Sequence, residues 1–190
     1  TNRRGILMDI YEKEKVLMEI RAEIPRFNEE ELAEYTKTVL PDIHRFLCQG
    51  KSDKITKYCS EELIQKMILN KEVYKISENM DNVRVQHARI DGFSNSDNRI
   101  RIKMYASVFF FDDVDNNINN EESYDKYWND IWIVTYELDE DIEITNKCPS
   151  CGAPMEYNSF KHMFTCNYCR NSVYDSEINW KIVDIEVDGV

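Results

Sequence analysis

The chain has 190 residues, is 42% hydrophobic and carries a formal charge of −12 at pH 7. That length and apolar content suit one ordinary domain with a real core, or one domain with a small appendage. The net acidity argues against broad binding to nucleic acid or anionic lipid, since both are polyanions, and no apolar run reaches the roughly 18 residues of a membrane span.

No secretory signal pattern opens the sequence. The chain begins at Thr1 rather than Met, as a fragment would, and an anchor upstream would lie outside it. Six cysteines are present: four in two Cys-x-x-Cys pairs, with Cys48 and Cys59 set apart in helical pattern. This usage fits a reducing, cytoplasmic setting and a metal site better than secretion.

Residues 6–24 place Ile6, Ile10, Leu17, Ile20 and Ile24 among charges, the spacing of an amphipathic helix. Such a helix packs on its own domain or docks on a membrane face or partner. Residues 1–23 are expected to form an N-terminal helical extension. Its cations Arg3, Arg4, Lys13 and Lys15 are offset by Glu12, Glu14, Glu19 and Glu23, so attraction to anionic lipid should be weak.

A stronger helix opens at Asn28. Asn28 is a good N-cap, Glu31 sits at the reciprocal capping position, and Phe27 and Leu32 are spaced for a hydrophobic staple. The pattern runs towards Leu47, with a kink or break expected before Pro41. Ser52 is the expected cap of a short helix, and Ser60 of another over residues 61–76.

After Asn82 the apolar period changes from about 3.6 to 2. Residues 83–90 read as a strand, "NSDN" as a turn, and residues 99–111 as the second strand of a hairpin. Ile100, Ile102, Met104, Ala106, Val108 and Phe110 share one face of it. Arg99, Arg101, Lys103, Tyr105, Ser107 and Phe109 share the other. An acidic, Asn-rich loop at 112–125 leads to an aromatic strand at 127–138, and residues 178–187 form a last strand. Helices first and an antiparallel sheet after them make an α+β layout.

Between those last two strands lie Cys148, Cys151, Cys166 and Cys169. Two residues between thiolates make a tight knuckle that lets both sulfurs reach one ion, and two knuckles supply four soft ligands in the array zinc prefers. Pro149 stiffens the first knuckle, and Gly152 can take the positive φ needed after it. Arg170 holds the equivalent place in the second, a less suitable residue. All four ligands come from protein, which points to a structural ion rather than a catalytic one. Redox dithiols, disulfides and iron in the same ligand set are the competing readings. His162, between the pairs, is a hairpin side chain or an alternate ligand.

The motifs "FNEEEL", "YCSEELIQKM", "YDKYWNDIWIV", "CPSCGAPM", "CNYC" and "WKIVDI" occur in this order. Over residues 24–187 the chain thereby resembles bacterial proteins with the domain named after the C-terminal half of mitochondrial inner-membrane translocase subunit 44. The relatives have Gly at the place of Arg170. The resemblance implies a cone-shaped α+β domain at 24–190, similar to nuclear transport factor two and cystatins. In it a curved antiparallel sheet wraps the helices, and a zinc ribbon at 147–175 is inserted before the last strand. It implies a non-enzymatic binding or scaffold module and supplies no catalytic residue.

Three functional readings follow. The first is an interaction module that binds a protein or a small apolar ligand. Its zinc ribbon presents a protein-binding knob, and its concave face carries Tyr105, Phe109, Trp128, Trp132 and Trp180. Core packing is the plainer account of most of these rings. The second is an acid–base enzyme built on His87, Asp130 and Tyr105, if those three converge. The third is nucleic-acid binding through the ribbon, with Arg99, Arg101 and Lys103 on one strand face and Lys147, Lys161 and Arg170 near the cysteines.

Overall fold

The computed structural model describes residues 10–25, 27–77, 82–111, 127–138, 147–158, 163–174 and 180–188. The acidic loop, Ile6, Arg3, Arg4, Lys161, His162 and Ile178 lie outside them, as does the side chain of Trp128. Among the described residues, three α-helices precede seven strands: α1 (Ile10–Glu23), α2 (Glu29–Cys48), α3 (Glu61–Leu69), β1 (Asn82–Ser96), β2 (Arg99–Phe111), β3 (Tyr127–Leu138), β4 (Met155–Asn158), β5 (Met163–Cys166), β6 (Ser172–Tyr174) and β7 (Trp180–Asp188). The class is α+β. Strands β1-β2-β3-β7 make an antiparallel sheet of four, and β4-β5-β6 a second sheet of three.

The hairpin forms where the alternation places it. Asp97 and Asn98 both take left-handed φ, 54° and 57°, between the paired residues Ser96 and Arg99. A two-residue loop of this kind matches the twist of its strands, and Asp and Asn tolerate the conformation better than most side chains. β1 is longer than the expected 83–90 because pairing with β2 continues to Ser96, across register shifts at Val85/His87 and Ile90/Gly92.

On β2, Ile102, Met104, Ala106, Val108 and Phe110 are fully buried. They meet Val39, Leu40 and Ile43 of α2 and Leu63, Ile64 and Met67 of α3 in one core. Leu17 and Ile20 of α1 belong to the same core, while Ile10, Tyr11 and Met18 stay exposed. The helix is thus packed on its own domain through a narrow stripe, and Lys13 ties it to Glu29 at 2.9 Å. Among the described residues, no helix is long and apolar enough to cross a membrane.

Asn28 caps α2, its side chain accepting from the N–H groups of Glu30 and Glu31, and Phe27 and Leu32 are both buried. The expected break before Pro41 does not occur; α2 runs unbroken across it. Pro41 and Lys37, whose carbonyl loses its partner, are both half-exposed, and Val39, Leu40 and Ile43 bury on either side. Packing outweighs the lost bond.

Two other helices differ from expectation. Ser52 begins a single 3-10 turn, Ser52–Ile55, rather than capping it. Ser60 does cap α3, accepting from the Leu63 N–H, but α3 ends at Leu69 instead of reaching 76. Asn70 stops it by donating to the Lys66 carbonyl from both backbone and side chain. The turns that follow bury Tyr74 and Ile76, and the Tyr74 hydroxyl donates to the Ile185 carbonyl at 2.9 Å.

Cys59 lies outside any helix, in a parallel bridge to Ile182. The Ser60 N–H donates to the Ile182 carbonyl and the Ile182 N–H to the Tyr58 carbonyl, 2.9 and 2.8 Å. This short pairing covers part of the outer edge of β7, which would otherwise present unpaired backbone groups. Burial pushes the Cys59 thiol up to about 12.

Candidate metal centre

The second sheet has little apolar material of its own. Its buried cluster is Cys148, Met155, Phe164 and Cys166, with Ala153 and Val173 packed alongside. So small a core leaves a large share of the fold to whatever joins the cysteines.

The two knuckles repeat one backbone design. The Gly152 N–H donates to the Cys148 carbonyl at 2.7 Å, and the Arg170 N–H donates to the Cys166 carbonyl at 3.0 Å. The Cys148 N–H donates to the Ala153 carbonyl at 2.7 Å, and the Cys166 N–H to that of Asn171 at 2.8 Å. Gly152 and Arg170 both sit at left-handed φ, 72° and 62°. Arg170 therefore takes the conformation that its Cβ disfavours. Asn171 reaches across to the other knuckle, its side-chain amide donating to Ser150 Oγ at 3.0 Å.

These turns bring all four sulfurs within 4.8 Å of one another. Cys148 Sγ is 3.5 Å from Cys169 Sγ, and Cys151 Sγ is 3.6 Å from Cys166 Sγ. Each close contact joins one knuckle to the other. A tetrahedron of sulfurs around an ion at about 2.3 Å has edges of about 3.8 Å. The spacing fits a metal site. It does not fit disulfides, whose sulfurs lie about 2.05 Å apart, and the cysteines are free.

The four thiols divide into two whose pKa is lowered and two whose pKa is raised. Burial pushes the Cys148 thiol up, but the N–H groups of Ser150 and Cys151 and the neighbouring thiols outweigh it and bring it down to about 6. Cys166 is lowered chiefly by the Cys169 N–H, against burial. The Ala153 N–H pulls Cys151 down, yet its hydrogen bond with Cys166, burial and the other thiols raise it to about 12. The Asn171 N–H pulls Cys169 down, while the Cys148 thiol and burial win and raise it. Each close pair thus joins a thiol whose pKa is lowered to one whose pKa is raised.

The other candidate residues do not assemble. Asp130 pairs with Val108 across β2 and β3, on the face that meets the helices, and its carboxylate is 2.7 Å from Lys75 Nζ. Tyr105 lies on the opposite face, beneath the Arg89 guanidinium at 4.3 Å, and His87 is exposed opposite Ser107. The sheet itself separates Asp130 from the other two.

The aromatic face divides in the same way. Trp132 and Trp180 are buried in the helix-facing core, while Tyr105 and Phe109 are half-buried on the other side. The basic row is matched by acids: Arg101 Nε is 2.6 Å and Arg99 3.8 Å from Glu137, and Lys103 is 3.3 Å from Glu186. Sequence reading missed these partners because they sit on other strands, and missed the Lys75–Asp130 pair for the same reason. Compared with known proteins, the sequence matches no family model and no curated protein.

Proposed function

We propose that the chain is a non-enzymatic interaction module whose second sheet is a zinc ribbon held by Cys148, Cys151, Cys166 and Cys169. The observation that carries this reading is the set of four converging sulfurs, two from each of two matched knuckles. Four soft protein ligands suit zinc and leave no position for a substrate. The ion would hold the ribbon in shape and perform no chemistry.

In this reading the larger sheet and its helices form a cone-like domain of the translocase-subunit-44 kind. The order of three helices and then an antiparallel sheet supports that view, as does the position of the cysteine module between β3 and β7, which pair with each other. The ribbon, with Tyr168 exposed at its second knuckle, presents a protein-binding knob. The partner is a protein, and any membrane association is peripheral.

Elemental analysis of pure, reduced protein tests the first half: one zinc per chain is expected, and protein without stoichiometric metal overturns it. The second half is tested by comparing proteins retained by the zinc-loaded chain and by Cys148→Ser at equal loading. A protein held only by the loaded ribbon supports the reading, and identical sets defeat it.

A further inference from the structure

We propose that two copies of this chain associate through the outer face of the larger sheet, about a two-fold axis parallel to its strands. The helices cover the other face, so strand register decides what this one presents. Two neighbouring rows cross it from β1 to β7. One reads Arg89, Tyr105, Ile133 and Glu186, and the next His87, Ser107, Ile131 and Asp188.

The middle of these rows is apolar. Tyr105, Ile131 and Ile133 are neighbours there and only half-buried, where a sheet face turned to water would carry polar side chains. The two edge strands carry opposite charge. The β1 residues that pair with β2 on this face include Arg84, His87 and Arg89 and no carboxylate, whereas β7 brings Asp184, Glu186 and Asp188.

Other cations of this face are matched within the chain, Arg99 and Arg101 by Glu137. Arg89 is not. Its guanidinium lies over the Tyr105 ring at 4.3 Å. Among the described residues, neither Arg89 nor Asp188 is within ion-pair distance of an opposite charge. Glu186 meets Lys103 at 3.3 Å, yet half of its side chain stays exposed.

These charges select one arrangement. A two-fold axis parallel to the strands, between β2 and β3, lays each row over itself in reverse. Arg89 then faces Glu186 of the second copy, His87 faces Asp188, and Tyr105 faces Ile133, each contact made twice. An axis across the strands would instead lay β1 over β1, cation on cation. Aligned sheets pack face to face about 10 Å apart, within reach of these side chains. An apolar centre with a charged rim is the anatomy of a protein interface. The formal charge of −12 on each chain opposes association at long range. The apolar centre therefore supplies the affinity, and the edge charges fix the register.

Sedimentation of the full, zinc-loaded chain at about 100 µM, enough to populate any dimer of micromolar Kd, should show two chains per particle. Arg89→Glu and Glu186→Arg each set like charges opposite one another at two places and should raise Kd about tenfold. R89E/E186R restores opposite charges and should bring Kd back to within about threefold of the unaltered chain. Within one chain the two residues stand three strand spacings of about 4.8 Å apart, so the recovery reports contact between chains. Neither side chain belongs to the core, and circular dichroism should be unchanged in all three variants. An unaltered chain that stays monomeric overturns the proposal and leaves the face to water or to a different protein. So does a dimer that R89E leaves as tight as before, or a double variant as weak as the single ones.

Discussion

Tyr136 of β3 and Thr36 of α2 share a hydrogen bond of 2.8 Å between hydroxyls, both residues fully buried and one hundred positions apart. Thr36 Oγ1 donates to the Leu32 carbonyl at 2.7 Å, so Tyr136 must be the donor of the pair. Burial raises the Tyr136 hydroxyl well above its ordinary range, which keeps it protonated and donating. The helix thereby gains a directional tie to the sheet within an otherwise apolar contact.

The direction of donation makes the two truncations unequal. Thr36→Val strands the Tyr136 hydroxyl in the core and should cost about 2–3 kcal/mol. Tyr136→Phe leaves Thr36 bonded to Leu32 and should cost about 1 kcal/mol. Urea unfolding of both variants reads the difference; equal losses would place the donor elsewhere.

Pro41 interrupts the hydrogen-bond ladder of α2 without breaking the helix. Its ring is only half-buried, so little packing is lost when it goes. Pro41→Ala should restore the bond to the Lys37 carbonyl and raise stability by about 1–3 kcal/mol. An unchanged unfolding midpoint would mean that the ring's contacts offset the restored bond.

Gly152 and Arg170 occupy the same left-handed position in their knuckles, one suited to it and one not. A Cβ at Gly152 meets nothing within 4 Å, so Gly152→Ala costs only the backbone term, about 1 kcal/mol. Arg170→Gly should relieve a similar term and hold metal more firmly. Competition for zinc with a chromophoric chelator ranks the variants: Arg170→Gly tightest, Gly152→Ala weakest.

The Cys148 and Cys166 thiols are shifted down and those of Cys151 and Cys169 up. Zinc uptake at pH 7 should therefore release at least two protons per ion, because Cys151 and Cys169 must lose theirs to ligate. Protons compete with the metal, so affinity rises with pH through the neutral range and falls more steeply as pH drops through about 6, where Cys148 also takes up its proton. A pH indicator in weak buffer counts the release. Removing the ion, or Cys148→Ser, should unfold the second sheet with its small core while the helical circular-dichroism signal persists.

Much of this was legible along the chain. Asn28, Ser60 and the strict alternation of β2 act through neighbours a few residues away, so caps and faces follow from local order. The four cysteines follow too, because a knuckle is a local turn. The length of α3 was not legible, since the turn chemistry of Asn70 competes with a helical pattern that continues past it. Nor was the fate of Pro41, which packing decides.

The sequence by itself determined that helices precede an antiparallel sheet, which β2 face is buried and which four thiols stand at metal-ligand spacing, because periodicity and short turns are properties of neighbouring residues. Only the tertiary structure decided that Asp130 faces the helices while Tyr105 and His87 face away, that Glu137 and Glu186 neutralise the basic row, and that the sulfurs of opposite knuckles meet. Strand register and side-chain ion pairing join positions distant in sequence, and they are set by the packing of the whole core.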